Sequence, residues 1–223
     1  MSFLRPVLAL MWKDILLELR TKDIVISVLV FSLVSIVIFN FAFEPTPRVV
    51  GLVAPGVLWV AILFGCVIGL TRSFAVEKDR GNLIGLLLAP VSRDTIYFGK
   101  MFANFIFMVI VELAIFPVFI ALYNLEHLTA QIIPVALLAT LGISTIGTVF
   151  SAMAVNTRSR EVMLPILFFP VAVPIIIAAV EASGLLFRDE NVSDLWRWLG
   201  FLAAFDAVFL VICPVAFSAV IED

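Results

Sequence analysis

Charge is what this chain has least of. Of its 223 residues, 14% are Asp, Glu, Lys or Arg and 63% are hydrophobic, where soluble domains run at about 25% charged and 45–50% apolar. That shortage excludes an ordinary soluble domain. It describes a membrane protein surrounded by lipid, with no nucleic-acid partner expected. Histidine occurs once, as His127 in a short polar turn, so no H-E-x-x-H zinc motif exists. Cysteine occurs twice, Cys66 and Cys213, both inside apolar runs. Both read as buried free thiols, and neither a disulfide framework nor a metal site is expected. A C-x-x-C-H haem attachment motif is absent. So is a phosphate-binding loop: Asp94–Lys100 ends in Gly-Lys, but the first glycine is missing and Met101 follows. By that device the chain does not hold ATP. With no clustered nucleophile or carboxylate pair either, it is not expected to be an enzyme. No uninterrupted apolar stretch precedes a small-residue cleavage site near the N-terminus, so no cleavable signal peptide is expected.

What is present is a series of apolar runs, at roughly 24–43, 50–71, 97–123, 129–155, 161–181 and 198–221. Each meets the ~20 residues that a helix needs to cross a bilayer, and a spanning segment without strand alternation must be helical to satisfy its backbone. Six spans follow. Before them, Leu4, Leu8, Met11, Trp12, Ile15 and Leu19 recur at helical spacing while Lys13, Asp14, Glu18 and Arg20 fall mostly elsewhere. This predicts an amphipathic helix over 3–22, lying in the membrane interface. The net charge of −3 says little, because the charges sort by loop. Eleven Lys/Arg lie in 1–23, 72–100 and 156–161, against Arg48, Arg188 and Arg197 on the other side. The positive-inside rule therefore puts both termini and the 72–100 segment in the cytoplasm. The outer loop 181–197 reads as an interface belt, with Trp196 and Trp198 at headgroup depth.

The chain is organised around Thr71–Lys100, TRSFAVEKDRGNLIGLLLAPVSRDTIYFGK. Its apolar run Leu83–Ala89, closed by Pro90, is too short to span and too apolar for a free loop. It predicts a short amphipathic element offered to a partner protein at the wet edge of the membrane. Glu77, Lys78, Asp79, Arg80, Gly81, Leu83, Leu86, Leu87 and Pro90 are the candidate contact residues. Inside the spans, Glu112 and Asp206 are candidate pathway or coupling acids, since intramembrane carboxylates face a partner or a wet cavity. Small residues at Gly65 and Gly69, and at Gly142, Ser144, Gly147 and Ser151, suit close helix packing. Pro165, Pro170 and Pro174 interrupt the fifth span.

Ala54-Pro55-Gly56 followed by Trp59-Val60, then Phe74, Glu77, Asp79, Gly81-Asn82-Leu83, Leu86-Leu87-Leu88, Pro90 and Lys100, resemble the cytochrome c maturation protein B family over essentially the whole chain. This is the haem exporter permease among the type-2 ABC exporters. The resemblance implies an all-α integral membrane protein of the ABCG-like permease fold, in the bacterial inner membrane. It implies pairing with a second copy and with two copies of a separate ABC ATPase subunit that binds the ATP. A haem-handling membrane protein and a small single-span subunit are implied as further partners. Two routes stay open for haem, transport by the complex or loading onto a periplasmic chaperone that ATP hydrolysis only releases, and this chain binds no cofactor directly. In one departure, Ile84 stands where the family commonly has an acid after Gly-x-Leu, so Glu77 or Asp79 is expected to make that contact. Two alternatives remain open on the residues alone: an ABC-2 type permease for a drug, lipid or polysaccharide, and an ion-coupled secondary carrier. The carrier would want matching halves, and no internal repeat is visible.

Overall fold

The computed structural model describes residues 3–43, 47–79, 81, 85, 91–125, 130–155, 157, 160–188 and 193–222. Every regular element among the described residues is a helix, with no strand among them. In chain order the helices are α1 (Leu4–Thr21), α2 (Asp23–Ala42), α3 (Pro47–Ser73), α4 (Ala75–Asp79), α5 (Arg93–Tyr123), α6 (Ile132–Val155), α7 (Arg160–Phe187) and α8 (Ser193–Glu222). All but α1 and α4 are long and apolar enough to cross a membrane, giving the six expected spans.

α6 is the hub. It packs against α3, α5, α7 and α8, and most of its side chains are buried. Its small residues permit this. Gly147 receives Leu70 of α3, and the Ser151 hydroxyl donates to the Leu70 carbonyl at 2.5 Å. By contrast α2 and α8 turn much of their apolar surface outward, the face that lipid covers in a spanning bundle. α7 stays one helix through Pro165, Pro170 and Pro174.

α1 lies along the first turns of α5. Val7 and Leu10 press on Gly99, where an added Cβ would sit 2.8 Å from Leu10 Cβ and 3.3 Å from the Val7 carbonyl. The residue that sets α1 this close must therefore be glycine. Leu4, Leu8, Trp12 and Leu19 remain exposed on the opposite flank, as an interfacial helix requires. α1 stops at Lys22, whose left-handed backbone (φ 58°) donates back to the Glu18 carbonyl. α2 begins at once, and its Val25 N–H donates to the Glu18 carboxylate at 3.2 Å. A carboxylate there satisfies an orphan donor and favours the positive end of the helix.

Three boundaries differ most from the hydropathy reading. α5 starts at Arg93 rather than 97, because the Ser92 hydroxyl accepts from Thr95 N and caps the helix. α7 runs on to Phe187 and α8 starts at Ser193, so the loop between them is shorter than 181–197 and Trp196 lies inside α8.

Candidate functional site

The segment α4 is one turn and a half long, too short to hold itself together as a free helix. Three ties hold it. Glu77 is buried, with its carboxylate between two ammonium groups: Lys13 of α1 donates to Oε1, and Lys100 Nζ of α5 is 3.0 Å from Oε2. Asp14 completes the cluster, 3.1 Å from Lys13 Nζ and 3.0 Å from Lys100 Nζ. Lys78 Nζ donates to the Val155 carbonyl at 2.7 Å, at the end of α6, where a cation meets the negative pole of a helix. α4 is thereby fastened to α1, α5 and α6 at once.

Lys100 is the centre of the cluster. Only 2% of its side chain is exposed. It also donates to the Ser73 carbonyl at 2.9 Å and lies 4.9 Å from the centroid of the Phe74 ring. A buried ammonium needs this many partners, because its desolvation costs several kcal/mol. Lys13 is held above its ordinary value of 10.5: burial pulls it down, and Asp14 and Glu77 push it up by more. A raised lysine contributes stability that is complete below that ordinary value and fades only as the pH rises through the raised one. Lys13 is therefore charged at neutral pH.

Along α5, a polar stripe faces α6. Tyr97 OH donates to the Thr145 carbonyl at 3.0 Å, and Asn104 Nδ2 to Thr148 Oγ1 at 3.0 Å. Glu112, 3% exposed, accepts from the Thr140 hydroxyl. Thr140, Ser144 and Thr148 are four residues apart, so they line one face of α6. Asp206 approaches α6 from α8, on another side. Its Oδ1 lies 2.6 Å from where a Cβ on Gly142 would be, and neither oxygen has a hydrogen-bond partner among the described residues.

These observations give a prediction for Glu112. Glu112→Gln keeps an acceptor for Thr140 but removes the titratable group, whereas Thr140→Val removes only the donor. If the acid does more than pack, Glu112→Gln lowers the protein's activity in the membrane about tenfold or more, ~1.4 kcal/mol in a barrier, with the fold intact, and Thr140→Val does not. Equal, small effects of ~1 kcal/mol on stability alone, the usual worth of one hydrogen bond, would leave Glu112 a packing residue.

Of the Ala54-Pro55-Gly56…Trp59 stretch, Ala54, Pro55 and Trp59 are buried. Trp59 Nε1 donates to Ser183 Oγ at 3.0 Å, joining α3 to α7. The motif thus fixes a helix seam. The family described as CcmB protein matches residues 5–223. The chain belongs to the CcmB protein family. Among its relatives is "Heme exporter protein B" of Rhodobacter capsulatus, 28% identical over 215 residues, covering 96% of this chain and 97% of that one. The protein of the same description from Paracoccus denitrificans is 28% identical over the same shares. That of Haemophilus influenzae is 27% identical over 177 residues, 78% of this chain and 80% of its own.

The residues singled out in the sequence fall into three groups. Glu77 and Lys78 are brought together by α4, but the Glu77 carboxylate faces inward to Lys13 and Lys100 rather than outward. Gly81 ends α4: its N–H donates to the Lys78 carbonyl at 3.0 Å with φ +70°, a conformation that glycine adopts without strain. Arg80, Leu83, Leu86, Leu87, Pro90 and His127, and the Asp79 side chain, lie outside the described residues. Sequence reasoning placed Lys13 and Asp14 only on the polar side of α1, and read Lys100 as a positive charge and part of the family pattern rather than as a partner of Glu77. The available signal was Lys100 itself, a cation seven residues inside the helix that starts at Arg93 and followed by an apolar run.

Proposed function

We propose that this CcmB-family chain is the permease subunit of a haem exporter serving c-type cytochrome biogenesis. It pairs with a second copy and is driven by ATP hydrolysed on separate subunits that dock against residues 77–90. The observation that carries this reading is the triple fastening of α4. An element tied to α1 through Lys13, to α5 through Lys100 and to α6 through Val155 passes any displacement to three helices together.

In this mechanism both termini and α4 are cytoplasmic, in the inner membrane. Leu83, Leu86 and Leu87 fill a groove on the ATPase, because buried apolar anchors carry most of the energy of such interfaces. Asp79 and Arg80 set encounter and register at its rim. Pro90 closes the element before the Ser92 cap of α5. Closure of two ATPases on ATP displaces this element, and the rigid helices α3 and α5 that flank it carry the displacement inward. The seam of α5 on α6, with Glu112 in it, and the contact of Asp206 with α6 are where the bundle exchanges one arrangement for another. Haem, handled with a second membrane protein and a small single-span subunit, is the cargo delivered toward the periplasm. The chain itself contributes packing, charge and motion, and no bond-making chemistry.

Purification of the chain from its native membrane tests this. An ABC ATPase and a haem-handling membrane protein should come with it, and ATP turnover should disappear when the chain is isolated alone. Turnover by the isolated chain would refute the division of labour. Recovery of an ATPase with no haem-handling partner would instead favour a permease for another substrate.

A further inference from the structure

A cavity of about 270 Å³ opens beneath α1, between the start of α2, the end of α3 and the first half of α5. It has two ends of different chemistry. One is charged and sits at the elbow where α1 meets α2, lined by Glu18, Asp23 and Arg72. The other is apolar and includes Phe107 and Ile110. Ile110 is ten residues beyond Lys100, which places it ~15 Å deeper along the helix. It is 43% exposed on the outside of the bundle. The cavity therefore runs from the membrane interface toward the hydrocarbon and opens sideways into it, the route of a lipid rather than of a water-borne solute.

The charges select which lipid. Asp14 and Glu77 also border the cavity, but they are spent on Lys13 and Lys100. That leaves Glu18 and Asp23 against one cation, Arg72, which is exposed and has no ion pair among the described residues. Burial pushes the Glu18 carboxyl up and Asp23 adds to this, while the Val25 N–H and Arg72 pull it down by less. The cavity lining is short of positive charge, with Lys22 at the joint exposed and outside that lining, which disfavours an anionic headgroup. Basic pockets at this depth take anionic lipids; this one has the opposite balance.

We infer that the cavity is a binding site for a glycerophospholipid with a primary-amine headgroup. The ammonium sits between Glu18 and Asp23, the phosphate meets Arg72, and the acyl chains leave past Phe107 and Ile110. Charge-assisted hydrogen bonds from an ammonium are the strong class, and a quaternary ammonium cannot make them. The volume is below the ~300–1,000 Å³ that encloses a drug-sized ligand. It holds a headgroup and the first carbons of its chains, and not an enclosed porphyrin. The bound lipid acts as a wedge that sets the angle of α1 above the Lys13–Glu77–Lys100 cluster.

The test is lipid retention by the full chain, purified with the subunits that accompany it. After delipidation it is offered an equimolar mixture of phosphatidylethanolamine, phosphatidylcholine and phosphatidylglycerol, and the lipids that stay are identified by mass spectrometry. The ethanolamine lipid should be retained about tenfold over the other two, the scale of one charge-assisted hydrogen bond. Glu18→Gln with Asp23→Asn should erase that preference. Because Glu18 also caps α2, Ile110→Trp serves as a second variant: it narrows the lateral opening and should lower retention of all lipid without disturbing the cap. Equal or better retention of phosphatidylglycerol or phosphatidylcholine by the unaltered chain overturns the proposal, and so does retention of no lipid.

Discussion

Lys100→Ala should be among the most damaging single substitutions in this chain. It removes the cation shared by Asp14 and Glu77 and leaves the buried Glu77 carboxylate with only the half-exposed Lys13. Stripping one partner from a buried ion pair costs about 3–5 kcal/mol, because the other charge stays behind without compensation. The expected result is a large fall in the melting temperature of the detergent-purified protein, with α1 and α4 released first. Lys100→Met with Glu77→Gln should recover much of that loss, since replacing both partners by neutral groups removes the stranded charge. Thermal unfolding followed by size-exclusion monodispersity checks both. A Lys100→Ala variant that melts within a degree or two of the parent would mean that water, not Lys100, satisfies Glu77.

The second large effect is at the proposed docking surface. Leu86→Asp or Leu87→Asp places a charge where an apolar anchor would be buried. Anchors of that kind carry about 2 kcal/mol or more each, which is roughly a 30-fold or greater loss of affinity. Recovery of the ATPase with the tagged chain should therefore collapse, while membrane insertion and melting of the chain itself stay as they were. The two predictions separate by what each measurement reads: Lys100→Ala lowers stability first, and Leu86→Asp lowers partner recovery alone. Undiminished recovery of the ATPase from Leu86→Asp would sink the docking proposal and leave the fold untouched.

Some of this was plain in the order of residues, and the reason is local. The six spans were readable because each is a contiguous apolar run, and the bilayer demands contiguity. α1 was readable because its apolar residues repeat with the period of a helix. Boundaries drifted where a cap overrode hydropathy, as at Ser92, and where apolar residues ran on past the expected end, as at Leu185–Phe187. Glu112 stood out as an acid in an apolar run, but its partner Thr140 did not, since a threonine in a span carries no mark of what it faces. Glu77 invited a reading as a surface contact. Its actual neighbours, Lys13 and Lys100, are far from it in the chain, and no spacing rule connects them.

The sequence by itself determined that this chain crosses a membrane with six helices, and its motifs carried the family. Contiguous apolarity and short motifs are properties of neighbouring residues, and neighbours are what a sequence records. Only the tertiary structure decided that α4 is clasped by α1, α5 and α6, that Trp59 bonds to Ser183, and that a cavity with a charged elbow lies beneath α1. Each of these depends on which faces of distant helices meet, and Gly99 and the hub helix α6 settle that by how closely their backbones let other helices approach.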